Sequence, residues 1–170
     1  MLSKSLAPYK PSSGDVIEFA NAEGGSQPTA KISVGALQTK PCFRFDFTSF
    51  RVGCAATDSK CNFNVTGLSW DNEAQIEVAV GSQSFNISNC HGQCDFANLV
   101  ADASADLVNL TSLLVDVTAG GRPQKWWADD LMLTWTDTSC EMAVCRSKVR
   151  DIMPKRGRRH GLARIFRDPY

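Results

Sequence analysis

The chain has 170 residues, 43% of them hydrophobic, with 18 Lys/Arg balanced by 18 Asp/Glu. That length fits one domain with an ordinary core plus a tail, and no run of about 18 apolar residues offers a membrane-spanning helix. The zero net charge hides an asymmetry: residues 1–145 hold nine Lys/Arg against sixteen Asp/Glu, and residues 146–170 hold nine against two.

Residues 1–14 are polar, end in Pro11-Ser12-Ser13-Gly14 and read as a flexible arm. A first strand is expected over 15–19, a turn-rich loop over 21–28 and a second strand over 30–34. Over 42–47, Phe43, Phe45 and Phe47 share one face and Arg44 and Asp46 the other, the pattern of a half-buried strand. Cys61, Phe63 and Val65 alternate after a polar loop. Two further strands, 75–80 and 83–87, are expected to form a hairpin about Gly81-Ser82. Residues 96–110 are ambiguous between strand and short helix. Leu113, Val115 and Val117 mark another strand, and Gly120-Gly121 turns the chain into the aromatic run over 126–135. From Arg146 the composition becomes basic, and Met153 to His160 reads as a solvated tail, with dibasic processing or non-specific contact with an anionic surface as alternatives. Poor aromatic interleaving argues against a dedicated nucleic-acid module.

Eight or nine short strands separated by turn chemistry predict an all-β, antiparallel β-sandwich, with a jelly roll as the leading version. The domain is expected over 15–147, followed by a basic, disordered tail over 148–170.

Seven cysteines are present: Cys42, Cys54, Cys61, Cys90, Cys94, Cys140 and Cys145. The short spacings predict disulfides Cys54–Cys61, Cys90–Cys94 and Cys140–Cys145, leaving Cys42 over. Zinc is the rival reading, but no pair has the two-residue spacing of a zinc knuckle. Disulfides belong to an oxidising compartment, and three glycosylation sequons agree, at Asn64, Asn86 and Asn109. The residues after Met1 lack the apolar centre of a leader, so the expectation is a leader trimmed from the start of the sequence, with non-classical export as the alternative.

Read as a regular strand, 126–135 puts Trp127, Asp129, Leu131, Leu133 and Trp135 on a core-like face, and Trp126, Ala128, Asp130, Met132 and Thr134 on a solvent face. An exposed Trp126 beside Asp130, with Arg122 and Lys125 just before them, suits the stacking and hydrogen bonding of a sugar ring. The bland alternative is that Trp126 covers the sandwich edge and Asp130 is solvated. Asp129, on the core-like face, is costly to bury unless paired or metal-bound. Its readings are a cap on loop amides or a structural Ca²⁺ shared with Glu18 or Glu23. With only His91 and His160 in the chain, and no nucleophile motif or phosphate loop, catalysis finds no set of residues.

The run WWADDLMLTWTDTSCEMAVCR from Trp126 to Arg146, with GCAATDSKCNF from Gly53 to Phe63, resembles a group of fungal secreted, cysteine-containing proteins of uncharacterised function. The resemblance implies compartment and fold and carries no active site. The Asp129-Asp130 strand is also similar to the closing strand of galactose-binding-like jelly rolls, which often serve as carbohydrate-binding modules. The expectation is a secreted, non-catalytic glycan-binding protein at a cell wall or host surface. The alternatives are an effector-like or structural protein that binds a protein partner, and a small polysaccharide-active hydrolase or lyase.

Overall fold

Alternation decides most of the architecture. In the strand from Cys61 to Asp71, Cys61, Phe63 and Val65 are fully buried while Asn62, Asn64 and Thr66 are half-exposed, the period of two that a strand with one wet face requires. The structure is a computed structural model that describes residues 9–10, 16–19 and 29–152. Its strands are β1 Ile17–Phe19, β2 Ala30–Ser33, β3 Phe45–Cys54, β4 Cys61–Asp71, β5 Ile76–Ile87, β6 Ala97–Val100, β7 Ser112–Ala119, β8 Arg122–Pro123 and β9 Trp126–Trp135. One helix, α1, follows over Cys140–Ile152.

The strands form two antiparallel sheets, β1-β9-β3-β6 and β2-β7-β4-β5, with β8 paired onto β7. Leaving the two-residue β8 aside, the last strand lies beside the first and the chain crosses between sheets at nearly every connection. That is the strand order of a jelly roll. The inner faces meet in a core that includes Phe45, Phe50, Val52, Phe63, Val65, Leu110, Leu113, Val115 and Trp126.

β5 departs from the expected hairpin. It is a single strand through Gly81, and the hairpin partner is β4, reached by a turn in which Asp71 Oδ1 accepts from the N–H groups of Glu73 and Ala74. Gly81 serves close approach rather than a turn. A Cβ there would lie 2.2 Å from the carbonyl oxygen of Ala105, in the segment that crosses over β5. Pairing steps from Gly67↔Gly81 to Leu68↔Ala79, so Val80 is the extra residue of a bulge.

Cys54–Cys61 and Cys90–Cys94 form as the spacing suggests, but the third disulfide is Cys42–Cys145 and Cys140 is free and exposed. The helix overturns the expected Cys140–Cys145 pair. Both cysteines belong to α1, where five residues at about 1.5 Å each separate them by about 7.5 Å along the axis and turn them to different faces. Cys42 instead closes a span of 103 residues. α1 begins behind Ser139, whose Oγ accepts from the Met142 N–H, and it docks through Arg146. That guanidinium lies 4.9 Å from the Trp135 ring centroid and donates to the Cys42 and Asp137 carbonyls. The expected domain end at 147 therefore falls inside a helix. Residues 153–170 of the basic tail lie outside the described residues. No helix among the described residues is long and apolar enough to cross a membrane.

Candidate functional site

The expected face of β9 is inverted over its first half. Pairing with β3 runs from Trp126 opposite Cys54 to Asp129 opposite Arg51, then jumps so that Met132 stands opposite Ser49. The extra residue is absorbed at Asp130, whose φ of 48° is left-handed, a region that Asp enters more readily than most side chains. Core-facing residues are thus Trp126 and Ala128 before the bulge, and Leu131, Leu133 and Trp135 after it. A second irregularity near Thr48 of β3 restores the pairing to Leu133 opposite Phe47.

Trp126 consequently does not face solvent. It is 1% exposed, stacked on Phe19 at 4.1 Å between centroids, with Phe63 and Phe50 edge-on at 5.6 and 6.5 Å. The group Trp126, Asp130, Arg122 and Lys125 does not assemble as a sugar site. Asp130 is exposed and 3.6 Å from Arg51, Arg122 is exposed on β8, and Lys125 reaches Glu18 at 3.6 Å and lies over Trp127.

The proposed calcium ligands are also otherwise engaged. Glu18 accepts from Trp127 Nε1 at 3.0 Å, and Asp129 Oδ1 accepts from the Asp130 N–H at 3.0 Å. Asp129 turns away from the inter-sheet core, the reverse of the regular-strand reading, and is nevertheless buried. It caps a backbone amide, and that amide belongs to the bulge itself. Glu23 lies outside the described residues. No group of three or more His, Cys, Asp or Glu among the described residues is placed to hold a metal.

The outer face of the β1-β9-β3-β6 sheet is partly closed by its own chain. Tyr9, Val16, Cys90, Phe96 and Trp127 form a second apolar cluster there. The Tyr9 hydroxyl accepts from the Cys54 N–H and donates to the Cys54 carbonyl, both at 3.0 Å, and its ring lies 5.0 Å from Phe96 and 5.7 Å from Trp127. Gly53 makes this possible, since a Cβ there would fall 2.5 Å from the Tyr9 ring. Tyr9, expected within a flexible arm, is therefore fixed against the sheet.

The outer face of the β2-β7-β4-β5 sheet is open and polar. Across it run Thr118, Asn62 and Asn86, then Asp116, Asn64 and Ser84, then Leu114, Thr66 and Ser82. Asn62 Nδ2 donates to Asn86 Oδ1 at 3.2 Å, Ser84 Oγ to Asn64 Oδ1 at 3.1 Å, and Thr29 Oγ1 to Asp116. Farther along, Leu68 and the half-buried Trp70 occupy the same face, with Glu77 directly across from Trp70. Glu77 Oε1 accepts from Thr111 and Ser112, and Oε2 pairs with Lys31, so an ion pair links the two edge strands over the sheet. Burial alone would push the Glu77 carboxyl up. The hydrogen bonds from Lys31, Ser112 and Thr111, and the charge of Lys31, outweigh that and hold it below the ordinary carboxylate value. Such a carboxylate stays ionised, which suits accepting hydrogen bonds from hydroxyl groups rather than general-acid work.

The Trp70 position follows from β4 alone: continuing the alternation of Cys61, Phe63 and Val65 places Asn62, Asn64, Thr66, Leu68 and Trp70 outward.

Residues 1–146 match the model of the domain of unknown function DUF7371. The chain belongs to the DUF7371 family. No curated protein and no solved structure matches it. This DUF7371 domain is thus an antiparallel β-sandwich with three disulfides, and its open polar sheet face is the candidate site.

Proposed function

We propose that this DUF7371 protein is extracellular and non-catalytic, and that it binds glycan at a cell wall or host surface through the outer face of the β2-β7-β4-β5 sheet. The observation that carries the reading is the Trp70 end of that face. There Trp70 stands directly across from Glu77, whose carboxylate pairs with Lys31 and accepts from Thr111 and Ser112. Charged and hydroxyl groups of this kind match the hydroxyls of a sugar, and an indole offers an apolar surface to a pyranose ring. Three disulfides support the extracellular compartment, as do the sequons at Asn64, Asn86 and Asn109.

The test is a glycan and polysaccharide array probed with wild type, Trp70→Ala and Glu77→Gln. Binding by wild type that Trp70→Ala loses, with its melting temperature close to wild type, is the expected result. A blank array for folded wild type removes the reading.

A protein partner is the second reading, and one feature favours it. Val100 and Met132 are 54% and 55% exposed, and both pair with Ser49 across the outer face of the other sheet. Pull-down of a protein that Met132→Lys releases, with no polysaccharide bound, is the result that would replace glycan by protein.

A further inference from the structure

We infer that Asn64 and Asn86 carry N-linked glycans that cover the polar half of the β2-β7-β4-β5 face and leave its Trp70 end as the part open to an external ligand. The inference rests on the extracellular reading above. Both asparagines begin sequons, Asn64-Val-Thr66 and Asn86-Ile-Ser88, but a sequon alone does not distinguish them from Asn109. What does is their shared face and the use of their amide atoms.

Asn64 accepts through Oδ1 from Ser84, and Asn86 accepts through Oδ1 from Asn62. In each case the protein engages the oxygen, and the Nδ2 atom that carries the sugar is not the donor of either bond. Asn62, which stands between them on the same face, does the opposite: it donates through Nδ2 and begins no sequon. Glycans on Asn64 and Asn86 therefore leave these bonds in place. Asn64 lies on β4, between β7 and β5, with Asp116 and Ser84 as its cross-strand neighbours. A sugar there stands over the middle of the sheet, and one on Asn86 stands over its β5 side.

Trp70 is six residues farther along β4, about 20 Å at ~3.3 Å per residue, which leaves it clear of the first sugars. Asn109, by contrast, belongs to the connection before β7. Its backbone N–H donates to Asp46 Oδ1, and its sequon ends at the buried Thr111 hydroxyl.

The chemistry is a substitution. Nδ2 forms a bond to the anomeric carbon of a lipid-diphosphate-linked oligosaccharide, the carbon–oxygen bond to the diphosphate breaks, and Nδ2 gives up one proton. A membrane-bound transferase of the secretory route catalyses this transfer from the lipid-linked donor.

The experiment produces the full chain behind a secretion leader in a glycosylating eukaryotic host and maps its peptides by mass spectrometry, before and after enzymatic removal of N-glycans. Occupied Asn64 and Asn86 are expected, and Asn64→Gln and Asn86→Gln should each lose the mass of one glycan. Should the chain fail to leave the cell, translation into microsomes with the same variants reads occupancy as a gel shift. Bare Asn64 or Asn86 in either system overturns the inference. The covering claim is read on the array: Asn64→Gln and glycosylated wild type should bind alike, both through Trp70. A gain of about tenfold in Asn64→Gln would put the ligand on the polar half instead. Occupied asparagines with a blank array count against glycan binding alone, whereas bare asparagines count against this inference whatever the array shows.

Discussion

Replacing Trp126 by alanine separates the two roles that its sequence position suggests. Trp126 heads the fully buried side chains by volume, packed against Phe19, Phe50 and Phe63. Truncation of a buried aromatic costs about 3–5 kcal/mol, the lost transfer energy plus the cavity that remains. For a domain whose whole stability is about 5–15 kcal/mol, that is a large share. At this size each kcal/mol corresponds to roughly 2–4 °C in melting temperature, so a fall on the order of 10 °C is expected. Urea unfolding followed by far-UV circular dichroism measures it, and the midpoint should move while the slope stays near wild type. Trp126→Phe should recover part of the loss. Trp70→Ala, at a half-buried surface position, should cost only about 1 kcal/mol. A Trp126→Ala protein as stable as wild type but defective in ligand binding would refute the bulge at Asp130 as the reason Trp126 is core.

Three further outcomes follow from the same geometry. Under non-reducing conditions, alkylation should label Cys140 alone, while Cys145→Ala should lose about 2–5 kcal/mol through the opened long loop; a mapped Cys140–Cys145 peptide would contradict the helix. Gly53→Ala should displace the Tyr9 ring and cost about 1–3 kcal/mol, and adding Tyr9→Ala should cost little more, because both changes abolish one contact; full additivity would show that Tyr9 docks elsewhere. Because the Glu77 carboxyl is held below its ordinary value in the folded chain, its contribution is complete above about pH 4.3 and is lost as pH falls below that value through the folded pKa. Melting temperature should therefore drop more steeply on acidification in wild type than in Glu77→Gln, and parallel curves would count against the Lys31–Glu77 cluster.

The sandwich was legible because alternation is written into β4 and β7 with few interruptions, and the strand order of a jelly roll then accommodates the count. What escaped was every place where one residue breaks the period. Asp130 in the left-handed region shifts β9 by one residue and exchanges its faces, so Trp126 enters the core and Asp129 leaves it. Gly81 looked like a turn because glycine commonly is one, and only the packed Ala105–Asp106 backbone reveals the other use. Cys145 paired at long range because Cys140 and its neighbours prefer a helix to a staple, and nothing local in the sequence points to Cys42. Trp70, by contrast, was readable from the even-numbered positions of β4.

The central claim is that ligand meets the outer face of the β2-β7-β4-β5 sheet at its Trp70 end. The most direct measurement is an amide and indole chemical-shift map of the labelled protein, titrated with the tightest-binding glycan of the array. The account predicts shifts at Leu68, Trp70, Glu77 and Lys31, with Arg122, Lys125, Trp126 and Asp130 unmoved. Shifts centred on β9, or none for any glycan at saturating concentration, would contradict it.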